Sequence, residues 1–234
     1  MTFIQNNFKE LLKKIDDIAS LYNRNSKNIK LIAVSKNKSV SDIMEIASLG
    51  QKSFGENYVQ EGIKKIKYIK YFYPNLEWHF IGPLQSNKSR LVAEYFSWCQ
   101  TIDRIHIAHR LNDQRPTGLL PLNVLIQVNI SKEDKKSGII TDNVFKIAKQ
   151  VISLPKLRLR GLMAIPKLEN DYTKQVNEYQ KMVIIFNKLK KEFVNIDTLS
   201  LGMSNDMQAA IVTGSTMLRI GTKIFGIRNN YKNV

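Results

Sequence analysis

Lys36 follows a run of four apolar residues and Ser35, in the stretch LIAVSKNKSV. The apolar residues predict a buried strand that ends at Ser35 and places the Lys36 amine at the strand end. A lysine partly removed from water at such a place has a lowered pKa, so its neutral amine can attack an aldehyde or ketone to form a Schiff base. A lysine whose amine reaches out to solvent explains the position equally well.

Two glycine-containing loops near the other end of the chain are suited to bind a phosphate group. LSLGMSNDMQAAI predicts a strand, a glycine and then a helix with Ser204 as its N-cap, and LRIGTKIFG predicts a strand followed by Gly221 and Thr222. Backbone N–H groups at helix starts bind phosphate, and small residues let the anion approach. Asp206 lies in the first turn of the predicted helix and would repel a phosphate unless its side chain points away.

A lysine that traps an aldehyde and loops that hold a phosphate together indicate an aldehyde-bearing phosphate ester, and pyridoxal 5′-phosphate (PLP) fits that description. Arg219, two residues before Gly221, could donate a hydrogen bond to the pyridine nitrogen. Arginine does not give up its proton, so the ring nitrogen would stay unprotonated and the ring would be a weaker electron sink. A salt-bridged structural arginine is the alternative interpretation.

Strands and helices alternate along the whole chain, which predicts how these residues are brought together. A leading helix at about residues 3–23 precedes eight predicted strand–helix units. The predicted strands cover residues 30–35, 52–56, 77–81, 97–102, 123–130, 157–163, 198–201 and 217–220. Eight such units predict an α/β protein with a single (β/α)8 TIM-type barrel over about residues 29–228, within one domain of residues 1–234. An open doubly wound sheet is the alternative, but no G-x-G-x-x-G follows the first strand.

In a parallel barrel the reactive groups lie at the carboxyl ends of the strands. Lys36 follows the first predicted strand, and the two phosphate-suited loops follow the seventh and eighth. Because the eighth strand of a closed barrel lies beside the first, we expect Lys36 and both loops at one mouth.

Composition limits the other functions. The chain has 234 residues with a net charge of +16 and a pI near 9.8, which raises a nucleic-acid hypothesis. The densest clusters lie in predicted amphipathic helices, where we expect solvated lysines: Lys64, Lys65, Lys67, Lys70, Lys188, Lys190 and Lys191. No nucleic-acid motif accompanies them, so we expect no specific nucleic-acid site.

The single cysteine, Cys99, excludes an intrachain disulfide and favours a reducing cytosol. The three histidines and one cysteine have no metal-ligand spacing. No apolar run approaches the ~18 residues of a membrane span. The first residues predict a surface helix rather than a signal peptide, with a helically spaced apolar stripe of Phe8, Leu11, Leu12, Ile15, Ile18, Ala19 and Tyr22.

Several long motifs carry a resemblance to a known family. The stretches AVSKNKSV, FGENYVQE, WHFIGPLQSNKSR, LRGLMAI, LSLGMSNDM and STMLRIGTKIFG resemble the YggS/PROSC family of PLP homeostasis proteins, from about residue 29 to 228. The resemblance implies a fold-type III PLP barrel similar to the N-terminal domain of alanine racemase. It also implies a cytosolic protein that binds and delivers PLP, with no established catalytic reaction and with PLP-dependent apoenzymes as candidate recipients.

The resemblance also assigns residues to the cofactor. It makes Lys36 the Schiff-base lysine and Arg219 the partner of the ring nitrogen. The other implied residues are Asn57 beside the cofactor, Ser204, Gly221 and Thr222 on the phosphate, and His79 and Met203 as pocket neighbours. A hydrogen-bonded core histidine explains His79 equally well. Lys38 is either a second amine near the mouth or, as we favour, a solvated loop lysine.

A racemase-like PLP enzyme is the alternative function. Alanine racemase adds a C-terminal domain that supplies a tyrosine as the base on the opposite face. Here only IRNNYKNV follows Gly226, and Tyr231 in that tail is a poor substitute because a frayed terminus cannot hold a base in place. We therefore expect a monomeric PLP-binding protein without a dedicated reaction, while slow one-base chemistry stays open.

Overall fold

A computed structural model of the protein describes residues 1–131, 133 and 136–226. In this part of the chain, eight parallel strands close into one barrel in chain order, and the last strand pairs with the first. The strands are β1 (Lys30–Val34), β2 (Ser53–Glu56), β3 (Glu77–Phe80), β4 (Trp98–Ile102), β5 (Leu122–Val128), β6 (Leu157–Ala164), β7 (Thr198–Ser200) and β8 (Met217–Ile220). The predicted (β/α)8 barrel is confirmed.

Helices cover the outside of the barrel. Those in the described residues are α1 (Phe3–Leu21), α2 (Val40–Ala47), α3 (Val59–Ile69), α4 (Ser89–Tyr95), α5 (Ile105–Gln114), α6 (Val144–Ile152), α7 (Tyr172–Glu192), α8 (Met207–Thr213) and α9 (Thr222–Phe225). None of them is both long enough and apolar enough to cross a lipid bilayer. The expected barrel end at residue 228 and the tail with Tyr231 lie outside the described residues.

The leading helix α1 packs against α2, α8 and α9. It begins with a capping box in which Thr2 and Gln5 each accept the other's backbone N–H. Its apolar stripe is narrower than predicted, since Leu12 and Tyr22 are each 39% exposed. The stripe that is buried consists of Phe8, Leu11, Ile15, Ile18 and Ala19. The two exposed residues lie at the edge of the contact face, where spacing alone does not separate buried from solvated positions.

The barrel interior is a packed core and not a pore. Its apolar part is a cluster of Ile32, Trp98, Leu125, Met163 and Met217, all nearly or fully buried. A larger apolar layer lies between the strands and the helices. These two layers fix the strand directions, so the side chains at the carboxyl ends of the strands converge on one mouth.

Candidate functional site

A cavity of about 370 Å³ lies at the mouth formed by the carboxyl ends of the strands. Seven of the eight residues predicted for the cofactor line it: Lys36, Asn57, Met203, Ser204, Arg219, Gly221 and Thr222. A larger and more open groove of about 1020 Å³ runs along α7, outside the barrel, and none of the eight residues lines it. The mouth cavity is therefore the candidate site.

Lys36 stands in a tight turn after β1. The backbone N–H of Ser35 still continues the ladder to Gly55 of β2, at 3.0 Å. The chain then turns, because the N–H of Lys38 bonds back to the carbonyl of Ser35 at 3.0 Å and Asn37 has a left-handed φ of 59°. Asparagine is one of the few residues that adopt this conformation readily. The half-buried Lys36 thus points into the mouth from a defined backbone.

A buried ionic network holds both neighbours of Lys36. Lys65 of α3 donates to the Ser35 carbonyl at 2.7 Å, to Glu56 Oε1 at 2.9 Å and to Glu61 Oε1 at 2.5 Å. Glu61 Oε1 also accepts the backbone N–H of Asn37 at 2.6 Å, and the Ser35 hydroxyl donates to Glu56 Oε1 at 2.6 Å. We call these residues the Lys65 network. It fixes the backbone on either side of the Lys36 amine.

The burial of Lys65 corrects the expectation that it is one of the solvated lysines of α3, since it is only 5% exposed. Burial raises the pKa of Glu56, while the charge of Lys65 and the hydrogen bonds from Ser35 and Lys65 act in the opposite direction. The i, i+4 spacing of Glu61 and Lys65 in the sequence indicates an ion pair, but it does not show which face of the helix packs against the barrel.

Asn57, directly after β2, lines the cavity and has an unsatisfied polar atom. Its side-chain oxygen Oδ1 is buried and has no hydrogen-bond partner within the described residues. Its backbone packs against Gly82, where an added Cβ would lie 2.2 Å from the Asn57 carbonyl oxygen. Only glycine fits there. A buried acceptor without a partner at a cavity wall indicates a place where a ligand donor or water belongs.

The loop after β7 differs from the prediction at its helix start. Ser204 is not the N-cap; α8 begins at Met207, and Asp206 occupies the cap position without a side-chain cap bond. The Asp206 carboxylate instead accepts the Met203 N–H at 2.6 Å and the Tyr179 hydroxyl at 2.7 Å. This carboxylate closes the loop, so the helix starts later and Ser204 lies in the cavity wall.

Arg219 of β8 reaches the cavity from the barrel interior and is only 4% exposed. Its Nη1 donates to the carbonyl oxygen and the hydroxyl of Ser200, at 2.8 and 2.6 Å, and its Nη2 donates to the Ala164 carbonyl at 2.9 Å. Burial lowers the pKa of Arg219, and the nearby Tyr179 and Asp206 raise it. Three of its five donor hydrogens are thus held by the barrel, which leaves one edge for the cavity.

His79 does not line the mouth cavity, which corrects the expectation of a pocket neighbour. Its ring is fully buried in the barrel, stacked on Trp98 at 5.1 Å between centroids and bonded to Glu77 and Gln100. The structure therefore favours a hydrogen-bonded core histidine. His79 lies within β3 and its ring is buried inside the barrel below the mouth, a depth that the motif alone does not give.

Lys38 is at the mouth, although it is not a freely solvated lysine. It lines the cavity, and its amine donates to the Phe225 carbonyl at 3.0 Å at the end of α9. In the part of the chain that the structure covers, no group of three or more His, Cys, Asp or Glu side chains could hold a metal ion. The cavity lining combines amines, amides and one guanidinium with the carboxylates of Glu169 and Asp206 and with apolar side chains.

Comparison with known proteins agrees with this fold. The chain matches the family of the alanine racemase N-terminal domain over residues 9–229. It is 55% identical to the pyridoxal phosphate homeostasis protein of Escherichia coli (strain K12), over 99% of this chain and 100% of that protein. It is also 55% identical to the pyridoxal phosphate homeostasis protein of Haemophilus influenzae, over 97% of this chain and 96% of that protein.

Solved structures show the same fold. PipY of Synechococcus elongatus, solved with PLP bound, is 32% identical, with a TM-score of 0.79 over 91% of this chain and 100% of that chain. Alanine racemase of Clostridium difficile is 14% identical, with a TM-score of 0.74 over 98% of this chain and 60% of that chain, and shares the fold alone. The chain therefore belongs to the YggS/PROSC family of pyridoxal phosphate homeostasis proteins, within the wider family of the alanine racemase N-terminal domain.

Proposed function

We propose that this chain binds PLP in the mouth cavity, holds the aldehyde as a Schiff base on Lys36, and acts as an intracellular carrier and regulator of PLP. The observation that carries the proposal is the convergence of the predicted cofactor residues on one cavity. Side chains suited to an aldehyde, a pyridine ring and a phosphate come from different strands and line one cavity. The name of the 55% identical relatives and the PLP bound to PipY support it.

The cavity wall fits PLP. Bound PLP supplies an aldehyde that condenses with an amine. The unpartnered Asn57 Oδ1 is a buried acceptor of a lining residue, and Arg219, also in the lining, has donor hydrogens that the barrel does not use. A Cβ on Gly221 would meet the Val34 carbonyl at 3.2 Å, so this loop packs tightly on β1 and keeps its backbone at the cavity. The volume of about 370 Å³ lies in the range of small-molecule sites.

Each residue has a distinct role in this proposal. Lys36 supplies the amine, from a turn that the Lys65 network holds. Arg219 donates to the ring nitrogen and, because a guanidinium keeps its proton, leaves that nitrogen unprotonated. The loops that contain Ser204, Gly221 and Thr222 bind the phosphate through hydroxyl and backbone N–H groups. This arrangement binds and orients the cofactor, and it does little to favour carbanion chemistry.

We propose that the protein has no dedicated reaction of its own. Two-sided racemisation needs a second base opposite the lysine. The cavity lining drawn from the described residues contains no tyrosine, histidine or cysteine, and the amine of Lys38 is bonded to the Phe225 carbonyl. Its two carboxylates, of Glu169 and Asp206, already accept hydrogen bonds from loop N–H groups, and Asp206 also accepts from the Tyr179 hydroxyl. The racemase-like alternative therefore has less support than carriage. PLP-dependent apoenzymes are the recipients in this proposal, and the protein acts as a cytosolic monomer.

Reduction of the complex tests the anchor. Purified protein is mixed with less than one equivalent of PLP, its visible absorption is recorded, and borohydride is added before peptide mapping. We expect a visible band that borohydride removes, with the label on Lys36. Lys38→Ala is the matched control in the same turn, and it should keep the label on Lys36. Label spread over surface lysines of the wild-type protein would overturn the proposed anchor.

Transfer to an apoenzyme tests the carrier role. The loaded protein is mixed with an apo-form PLP enzyme in the presence of a phosphatase that destroys free PLP. We expect the apoenzyme to recover activity under these conditions, while an equal amount of free PLP fails to restore it. The loaded protein is also incubated with single amino acids, and we expect no turnover. Multiple turnovers of any amino acid would favour the enzyme alternative.

A further inference from the structure

A line of buried polar side chains crosses the barrel interior beneath the candidate site. His79 of β3, Gln100 of β4 and Ser200 of β7 are completely inaccessible to solvent. Interiors of such barrels are dominated by branched apolar residues. Burial of a polar group lowers the stability of the fold unless the group is hydrogen-bonded, so a continuous line of such groups in the barrel interior indicates a specific role.

The line is continuous from the mouth to the opposite end of the barrel. Arg219 Nη1 contacts Ser200 Oγ at 2.6 Å, and Ser200 Oγ contacts Gln100 Oε1 at 2.8 Å. Gln100 Nε2 then contacts His79 Nδ1 at 3.0 Å, and His79 Nε2 contacts Glu77 Oε2 at 3.1 Å. We call these five residues the barrel-spanning chain. Since β4 and β7 are separated by β5 and β6 in the closed barrel, the Ser200–Gln100 bond passes through the barrel interior and not along a strand pair.

The donor directions in the chain are fixed by its first member. Arg219 can only donate, so Ser200 Oγ accepts from it and gives its own hydrogen to Gln100 Oε1. The Gln100 amide therefore turns its NH2 to His79 Nδ1, which must accept. The remaining ring hydrogen of His79 is then on Nε2 and is donated to Glu77. Every bond runs in the same sense, and the chain ends on a carboxylate.

The charges at the two ends agree with this direction. Burial lowers the pKa of His79, despite the opposing effect of Glu77, so the ring is neutral and can accept at Nδ1. Burial acts to raise the pKa of Glu77, but the hydrogen bond from His79 and the hydrogen bond and charge of Lys30 outweigh it and hold that pKa below its usual value. An anion at one end and a guanidinium at the other polarise the bonds between them in the same sense.

Both hydrogens of Arg219 Nη1 are used by Ser200, through its carbonyl and its hydroxyl. The orientation of the guanidinium therefore depends on the hydroxyl, and the hydroxyl is oriented by Gln100. We propose that Ser200, Gln100 and His79 are positioning residues that hold Arg219 at the angle at which its free edge meets the pyridine nitrogen. This inference rests on the proposed function, because it concerns the partner of the PLP ring.

The test uses PLP labelled with ¹⁵N at the ring nitrogen and bound to the full chain. The ¹⁵N chemical shift reports whether that nitrogen accepts a hydrogen bond or carries a proton. We expect Ser200→Ala and Gln100→Met to shift this signal and to weaken PLP binding by about tenfold. Ser215→Ala is the matched control: Ser215 is equally buried, and its hydroxyl contacts only backbone groups, namely the carbonyls of Leu199, Leu201 and Met217 and the N–H groups of Leu201 and Met217.

The outcomes separate the two proposals. A shifted ring-nitrogen signal in Ser200→Ala, with no shift in Ser215→Ala, supports the positioning role. A wild-type signal in Ser200→Ala overturns that role and leaves the PLP site intact, whatever the loss of thermal stability. Wild-type protein that binds no labelled PLP overturns the proposed function and the positioning role together. Should Gln100→Met fail to fold, Ser200→Ala decides alone, because it removes only one oxygen.

Discussion

Replacement of Lys65 by methionine should destabilise the protein far more than replacement of a surface lysine. Methionine keeps the length and helix propensity of the side chain but removes the ammonium group. That group serves three acceptors, and the side chains of Lys65 and Glu56 are only 6% and 0% exposed. Removal of one partner leaves the Glu56 carboxylate and the Ser35 carbonyl buried without it. Breaking such a pair costs about 3–5 kcal/mol in free energy of unfolding.

The loss should depend on pH and should be reversed by a second change. Burial already raises the pKa of Glu56, and without the charge of Lys65 it rises further. A carboxyl with a raised pKa in the folded state stabilises that state only while protonated, so the stability of Lys65→Met should fall as pH rises from acid towards neutral. Glu56→Gln in the same chain removes the unpaired charge and should recover most of the loss.

Urea unfolding followed by tryptophan fluorescence measures these free energies. Lys64→Met is the matched control, because Lys64 is an exposed neighbour on the same helix and its replacement should change stability by less than about 0.5 kcal/mol. The reasoning would be refuted if Lys65→Met cost no more than Lys64→Met. It would also be refuted if the double variant with Glu56→Gln were less stable than Lys65→Met alone.

Two further predictions concern the loops of the mouth. Gly82→Ala would place a Cβ 2.2 Å from the Asn57 carbonyl oxygen, so the backbone of Asn57 must shift. We expect absorption titration to show a loss of more than tenfold in PLP affinity. An unchanged affinity would show that the contact with Gly82 does not hold Asn57 in place. Tyr179→Phe removes the 2.7 Å hydrogen bond to Asp206, and it should lower the free energy of unfolding in urea by about 1–2 kcal/mol and weaken phosphate binding. Tyr68 is exposed, so Tyr68→Phe is the control and should leave the free energy of unfolding unchanged.

Much of the fold followed from local patterns. Each predicted strand overlaps an observed one, and even the three-residue β7 was anticipated from its apolar residues and the glycine that follows. The alternation of strands and helices then left little freedom in topology. The convergence of Lys36 with the loops after β7 and β8 followed from closure of the barrel, because the mouth collects the carboxyl ends of all the strands.

The predictions that were wrong concern features that depend on the three-dimensional arrangement of the chain. Helical spacing identifies an apolar face, but it does not show that the lysine beside that face reaches a buried carboxylate, as Lys65 does. Ser204 matches the N-cap preference, yet a carboxylate two residues later competes for the loop N–H groups and delays the helix. The depth of His79 in the barrel depends on the register of β3, and no local signal reports it.

The pairing of β8 with β1 has a consequence for how the site comes into existence. Lys36 follows the first strand and Arg219 belongs to the last, so the seam between these strands runs through the candidate site. A nascent chain whose eighth strand has not yet been synthesised contains Lys36 but neither Arg219 nor the loop after β8. In the proposed binding mode the ligand binds only the completed barrel, and its contacts with residues of both β1 and β8 would stabilise the pairing of these two strands.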